Sequence, residues 1–129
     1  MMIFVDPDMM ATNPFGLSPE AFDQIIAIVS QCPAVEQAIL FGSRAVGTYK
    51  TGSDVDLAVR GKDLGFQDVL FLKGAFEEST LPYFFDVIWD HPQLNADLRR
   101  SVITTGVSIY QRGSHSISPL IPHWPANGA

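Results

Sequence analysis

Residues 40–59 read Leu40-Phe41-Gly42-Ser43-Arg44-Ala45-Val46-Gly47-Thr48-Tyr49-Lys50-Thr51-Gly52-Ser53-Asp54-Val55-Asp56-Leu57-Ala58-Val59. The second half of this stretch opens a strand. From Asp54 to Arg60 the pattern alternates strictly: Val55, Leu57 and Val59 point one way, and Asp54, Asp56, Ala58 and Arg60 the other. Period two therefore places both aspartates on one side of a sheet. Upstream, Val35–Phe41 is rich in β-formers and ends at Gly42, as a buried strand does. Gly42–Gly52 holds three glycines and reads as a loop.

Working outward, Ser18-Pro19-Glu20 is a helix start, with a hydroxyl cap, a proline at the first position and an acid in the first turn. Phe22, Ile25, Ile26 and Val29 recur at helical spacing, and Pro33 stops the run. After the turn Gly61-Lys62-Asp63, Leu64–Ser79 is helical, with Val69, Leu72 and Phe76 on one stripe. Leu70 and Phe71 widen that stripe, which predicts burial on more than one side. Tyr83–Trp89 is a strand. His91-Pro92 opens a helix with Leu94, Leu98 and Val102 on one face, Gly106 closes it, and Val107–Tyr110 is a last short strand. Residues 1–17 are expected to be a loose arm, 18–111 the domain, and 112–129 an irregular tail rich in Ser, Pro and Gly. The order α-β-loop-β-α-β-α-β predicts an α/β (α+β) fold with a small sheet, apolar helices on one face and an acidic site on the other.

Composition narrows the function. The chain has 129 residues, 47 % hydrophobic and 17 % charged, which is globular and enough for one domain. Eight Lys+Arg against fourteen Asp+Glu leave a net charge of −6, which disfavours direct binding of nucleic acid. No apolar run approaches the ~20 residues that span a bilayer, so no membrane association is expected. The N-terminus lacks basic residues and carries Asp6 and Asp8, unlike a signal peptide. The single cysteine, Cys32, reads as a small buried thiol in a reducing, cytoplasmic setting.

The acids carry the chemistry. Asp86 stands in Tyr83-Phe84-Phe85-Asp86-Val87-Ile88-Trp89, amid apolar and aromatic neighbours. A carboxylate buried there needs a partner or a cation. If its strand neighbours that of Asp54 and Asp56, three carboxylates converge. Their repulsion is resolved by a divalent ion, and oxygen donors suit Mg²⁺ or Mn²⁺. Taken singly, Asp54 as a loop-end acid or Asp86 as a solvent-facing strand acid is an equally ordinary reading. The upstream loop breaks the tie, because Gly42-Ser43 offers main-chain N–H groups and a hydroxyl that suit a phosphate. A Walker A loop is the poorer match: Gly42 and Gly47 have its spacing, but Thr48 stands where lysine is required.

Gly42-Ser43, ten residues, then Asp54-Val55-Asp56 is the G-S-x10-D-x-D pattern, and with Asp86 as a third acid it resembles the polymerase-β-like nucleotidyltransferase superfamily. The string from Leu40 to Val59 is similar to the minimal nucleotidyltransferases, the MNT proteins of two-gene HEPN–MNT toxin–antitoxin pairs. The resemblance covers about Phe22 to Gln111. It implies a small mixed sheet, two Mg²⁺ ions (Mn²⁺ as a substitute) and ATP as substrate. By position, Asp54, Asp56 and Asp86 would hold metal, with Asp86 also helping to activate the attacking hydroxyl. Gly42 and Ser43 would hold the β/γ phosphates, and Arg44 would add a charge beside them. Lys50 reads as a solvated loop lysine.

Larger relatives carry a helical domain for the acceptor, and this chain is too short for one. The resemblance implies that the acceptor is a hydroxyl, a tyrosine, on an all-helical HEPN toxin, so that the chain is an adenylylating antitoxin. Two alternatives stand beside it: a non-catalytic antitoxin that neutralises by contact, and a small-molecule transferase whose acceptor pocket lies on a partner. Mean hydropathy of +0.15, with nine Phe and two Trp, favours assembly with a partner or with itself. Leu70, Phe71, Leu120, Ile121 and Trp124 are candidate contacts, although core for the first two and loose tail for the others is the simpler expectation. His91 reads as a helix-start residue, and His115 and His123 as inert tail residues.

Overall fold

The computed structural model describes residues 15–50 and 52–112. Most of the expected arm and tail, including Leu120, Ile121, Trp124, His115 and His123, lies outside the described residues. Helix α1 (Pro19–Ser30) is capped as its sequence dictates: the Ser18 hydroxyl accepts from the N–H of Ala21 at 3.0 Å. Strand β1 (Gln37–Phe41) leads into a one-turn helix α2 (Ser43–Val46), followed by β2 (Val55–Arg60), α3 (Phe66–Glu78), β3 (Phe85–Trp89), α4 (Ala96–Thr105) and β4 (Val107–Gln111).

The sheet runs β3-β2-β1-β4. It is mixed: β1 pairs antiparallel with β2 and with β4, and β2 pairs parallel with β3, the crossover being made through α3. All five residues of β1 are buried, as the central position of the strand requires.

The main core lies where α1 and α3 cover one sheet face. Ile25 and Val29 of α1 and Val69, Leu72 and Phe76 of α3 pack with Leu40, Val55, Leu57, Val59, Val87 and Ile109. The opposite face is not wholly acidic. Ile39, Phe41 and Ala58 share it and are covered by Val102 of α4, with Ile88 alongside. Helices thus lie on both faces, and the acids occupy the part of the second face that α4 leaves open.

Several sequence expectations shift. Leu70 and Phe71 are about half exposed, so α3 buries one stripe and not two. The helix expected from His91-Pro92 begins five residues later at Ala96, because the Asn95 side chain supplies the cap, accepting from Asp97 and Leu98 N–H. His91 instead closes a turn and lies against Trp89. Leu98 is 37 % exposed, so Val102 alone of the expected α4 stripe is buried. Cys32 is buried, as expected, and burial pushes its thiol pKa up.

Candidate active site

The loop between β1 and β2 holds three glycines with positive φ, and two of them frame α2. Gly42 (φ 80°) ends β1 and precedes the first residue of α2, and Gly47 (φ 86°) ends α2 in the left-handed conformation. At Gly42 there is also no room for a side chain: a Cβ there would fall 2.5 Å from Oδ2 of Asp56. The absence of a side chain at position 42 therefore lets the Asp56 carboxylate lie against the turn. The N–H of Gly42 is itself occupied, donating to the Thr105 hydroxyl at 2.9 Å. Ala45 and Val46 donate to the Gly42 carbonyl. By helix geometry the N–H groups of Ser43 and Arg44 have no acceptor within α2. They and the Ser43 hydroxyl are the donors this turn offers an anion. A single turn carries little dipole, so any grip comes from these groups individually.

Arg44 is placed differently from the expectation. It is buried, at 3 % exposure. Its guanidinium donates to the carbonyl of Ser53 through Nε and Nη2 (3.2 and 3.0 Å) and to that of Phe15 through Nη1 at 2.9 Å. It also stacks near the rings of Tyr49 and Tyr83, 5.1 and 5.0 Å from their centroids. The charge that the resemblance sets beside the phosphates is turned inward here, to main-chain carbonyls. The residue ties α2 to the segment before α1 and to Ser53, next to Asp54. A cation so held needed its acceptors to be visible in sequence, and carbonyls leave no sequence signal. Lys50 is exposed, as expected.

The acids are brought to one place by register. Phe41 pairs with Asp56 across β1 and β2, and Asp56 pairs with Asp86 across β2 and β3. Partners in register point to the same face, so Asp56 and Asp86 are side by side, and Asp54 is two residues back on that face. Asp86 is exposed, the solvent-facing one of the two readings its sequence allows, on an outer strand of the sheet. Asp56 is the enclosed member. Its carboxyl is pushed up to about 6, first by burial, then by the charge of Asp86, then by that of Asp54. Asp56 thus feels the charge of each of the other two acids. Among the described residues, no three of His, Cys, Asp or Glu are drawn to metal-ligand spacing. A shared ion thus requires the exposed Asp54 and Asp86 side chains to turn towards Asp56. An all-carboxylate, oxygen-only donor set with unrelieved repulsion fits a hard divalent cation such as Mg²⁺.

A cavity of about 360 Å³ lies beside Asp86. A larger cleft, about 920 Å³, is at the opposite end of the sheet. There Asp90 is held by Arg60 at 2.5 Å and Arg99 at 3.7 Å. Size does not decide between them: the Gly42-Ser43 turn and the acids are at the other end from the larger cleft.

A loop with main-chain donors for phosphate, set against acids on two parallel strands, defines a nucleotidyl-transferring class of site. The chain belongs to the polymerase beta nucleotidyltransferase family, whose model matches residues 23–115. Solved structures share the fold. The crystal structure of a toxin–antitoxin with AMP-PNP is 26 % identical, covering 71 % of this chain and 74 % of that one, with a TM-score of 0.59. An MntA–HpeT toxin–antitoxin with two Asp→Glu substitutions is 23 % identical over the same shares, with a TM-score of 0.59. A tri-AMPylated Shewanella oneidensis HEPN toxin in complex with MNT antitoxin is 23 % identical, covering 70 % and 69 %, with a TM-score of 0.53. No curated protein sequence gives a significant match. Among the described residues, no helix is long and apolar enough to cross a membrane.

Proposed function

We propose that this nucleotidyltransferase moves AMP from ATP to a tyrosine hydroxyl of a helical HEPN-type partner and thereby acts as its antitoxin. The observation that carries the reading is the placement of Asp56 against Gly42, with Asp86 beside it in register and Asp54 two residues back. Support for the partner comes from the toxin–antitoxin relative with AMP-PNP and from the resemblance of the 40–59 string to MNT proteins.

In this reading the Ser43 hydroxyl and the N–H groups of Ser43 and Arg44 hold the β/γ phosphates. Asp54, Asp56 and Asp86 would hold Mg²⁺, which would lower the hydroxyl pKa and offset charge on the leaving pyrophosphate. The acceptor oxygen attacks the α-phosphorus in line. The bond from that phosphorus to the bridging oxygen breaks, and pyrophosphate departs with the electron pair. The hydroxyl proton passes to the Asp86 carboxylate. The Arg44 side chain takes no part in the chemistry; it ties the turn to Ser53, next to Asp54.

The test is to incubate the chain with its HEPN-type partner, ATP and Mg²⁺ and to weigh the partner. A gain of one or more adenylyl groups, lost when the partner's tyrosines are changed to Phe, is the expected result. No gain, with toxicity still suppressed, would replace transfer by neutralisation through contact. Gain that survives loss of the tyrosines would move the acceptor elsewhere.

A further inference from the structure

Asp86 sits at a boundary. Its strand, β3, is one of the two outer strands of the sheet, and the cavity of about 360 Å³ beside it runs between β3 and α3. Lys73, Phe76 and Glu77 line it from the helix, and Phe84, Phe85 and Asp86 line it from the strand. Phe84 is 80 % exposed, more than any other large apolar side chain among the described residues. By period it lies on the Asp86 face, two residues away.

The main chain of β3 is half used. The Phe84 carbonyl accepts from Val55 N–H and the Asp90 N–H donates to the Val59 carbonyl. Even-numbered residues therefore turn their peptide groups towards β2, and Phe85, Val87 and Trp89 turn theirs to the other side, where no strand pairs with β3 among the described residues. An extended segment can add to such an edge by main-chain hydrogen bonds, with its side chains dropping into the groove alongside.

The line of the reaction says which reactant belongs there. Phosphate donors lie at the end of β1, and Asp56 and Asp86 follow in register across β2 and β3. In-line displacement places the leaving pyrophosphate and the attacking oxygen on opposite sides of the α-phosphorus. With pyrophosphate on the β1 side, the attacking hydroxyl arrives from the β3 side, where the groove is.

We propose that the edge of β3 receives the acceptor-bearing segment of the protein substrate as an added strand, with an aromatic acceptor side chain on the Phe84 face, its hydroxyl towards Asp86, and the alternate side chains of the segment in the groove against α3. The proposal rests on the functional reading above. A groove of this volume holds a segment and one or two side chains, not a folded domain, so the acceptor is an extended or locally unfolded stretch of the partner.

Phe84→Ala and Lys73→Glu test it in the full chain, with the HEPN-type partner and Mg²⁺–ATP as substrates and Lys62→Ala, at the far end of the sheet, for comparison. Both altered positions are exposed, so folding is not at stake. The expected result is a rise of about tenfold in KM for the partner for each groove variant, from the loss of an aromatic contact and its apolar area in Phe84→Ala and from a reversed charge on the groove wall in Lys73→Glu. The KM for ATP should stay unchanged, and partner binding should slow amide exchange at Phe85, Val87 and Trp89. Unchanged partner KM in both variants, with normal transfer, would overturn this proposal alone. So would a rise in KM for ATP instead, which would make the groove a nucleobase site. No transfer by the unaltered chain would overturn the functional reading and this proposal together.

Discussion

Asp56 is the residue on which fold and function collide. It is enclosed by Gly42 on one side and repelled by Asp86 and Asp54 on the other, and its carboxyl is pushed up to about 6. In the unfolded chain it ionises near 4. Below pH 4 it is protonated in both states and contributes nothing. Between 4 and 6 the unfolded state gives up the proton that the folded state keeps, so stability falls as pH rises, and the cost is complete above 6. Discounted for solvent screening, it is about 1–2 kcal/mol. Asp56→Asn should therefore melt at the same temperature as the parent at pH 4 and higher at pH 7, while transfer falls by ~10³-fold or more. A lower melting temperature at pH 7 would show that the carboxylate is a structural partner. Arg44 behaves in the opposite way. Arg44→Lys keeps the charge but cannot fork between the carbonyls of Ser53 and Phe15. It should lose ~2 kcal/mol or more in urea unfolding and raise the KM for ATP, since α2 and the start of β2 are no longer held together. Stability equal to the parent's would remove Arg44 from this role. The D-x-D spacing was legible because a period of two is unambiguous. The destination of Arg44 was not, because its partners are carbonyls in residues distant in sequence.

At the level of elements, the sequence displayed what is local and hid what is shared. Ser18-Pro19-Glu20 fixes the start of α1 through a hydrogen bond three residues long, and Val55, Leu57 and Val59 fix the buried side of β2 by alternation. The breadth of the α3 stripe could not be read in the same way. Leu70 and Phe71 are as apolar as Leu72, and only the position of the sheet decides which of them is covered. The start of α4 misled for a related reason. His91-Pro92 is a reasonable opening, but Asp90 is claimed by Arg60 and Arg99 and the chain stays in a turn until Asn95 caps the helix. These placements separate in a stability experiment. Leu72→Ala should cost about 2–5 kcal/mol, because its side chain is fully buried. Phe71→Ser should change stability by no more than about 0.5 kcal/mol. Equal losses in chemical denaturation would return Phe71 to the core.

Across the whole molecule, charge is sorted by the ends of the sheet. Four of the eight Lys and Arg residues, Arg60, Lys62, Arg99 and Arg112, line the cleft at the far end. Asp54, Asp56 and Asp86 gather at the other, next to the turn offered to a triphosphate. An anion of about four charges approaching three carboxylates is repelled, and the few main-chain donors of Ser43 and Arg44 do not outweigh that at short range. The site should therefore reject ATP alone and accept it only with a divalent ion that screens both sides. At 100-fold over its Kd, Mg²⁺–ATP should add about 2.7 kcal/mol by linkage, a Tm rise on the order of 8–10 °C for a domain of this size. ATP with EDTA should leave Tm where it was, and adding excess Mg²⁺ to the same sample should restore the rise. The rise should shrink as pH falls through 6, where Asp56 takes up its proton and ceases to be a ligand. An equal rise with ATP in EDTA would mean that the nucleotide binds away from the acids, and the basic cleft at the far end would then be the place to look for it.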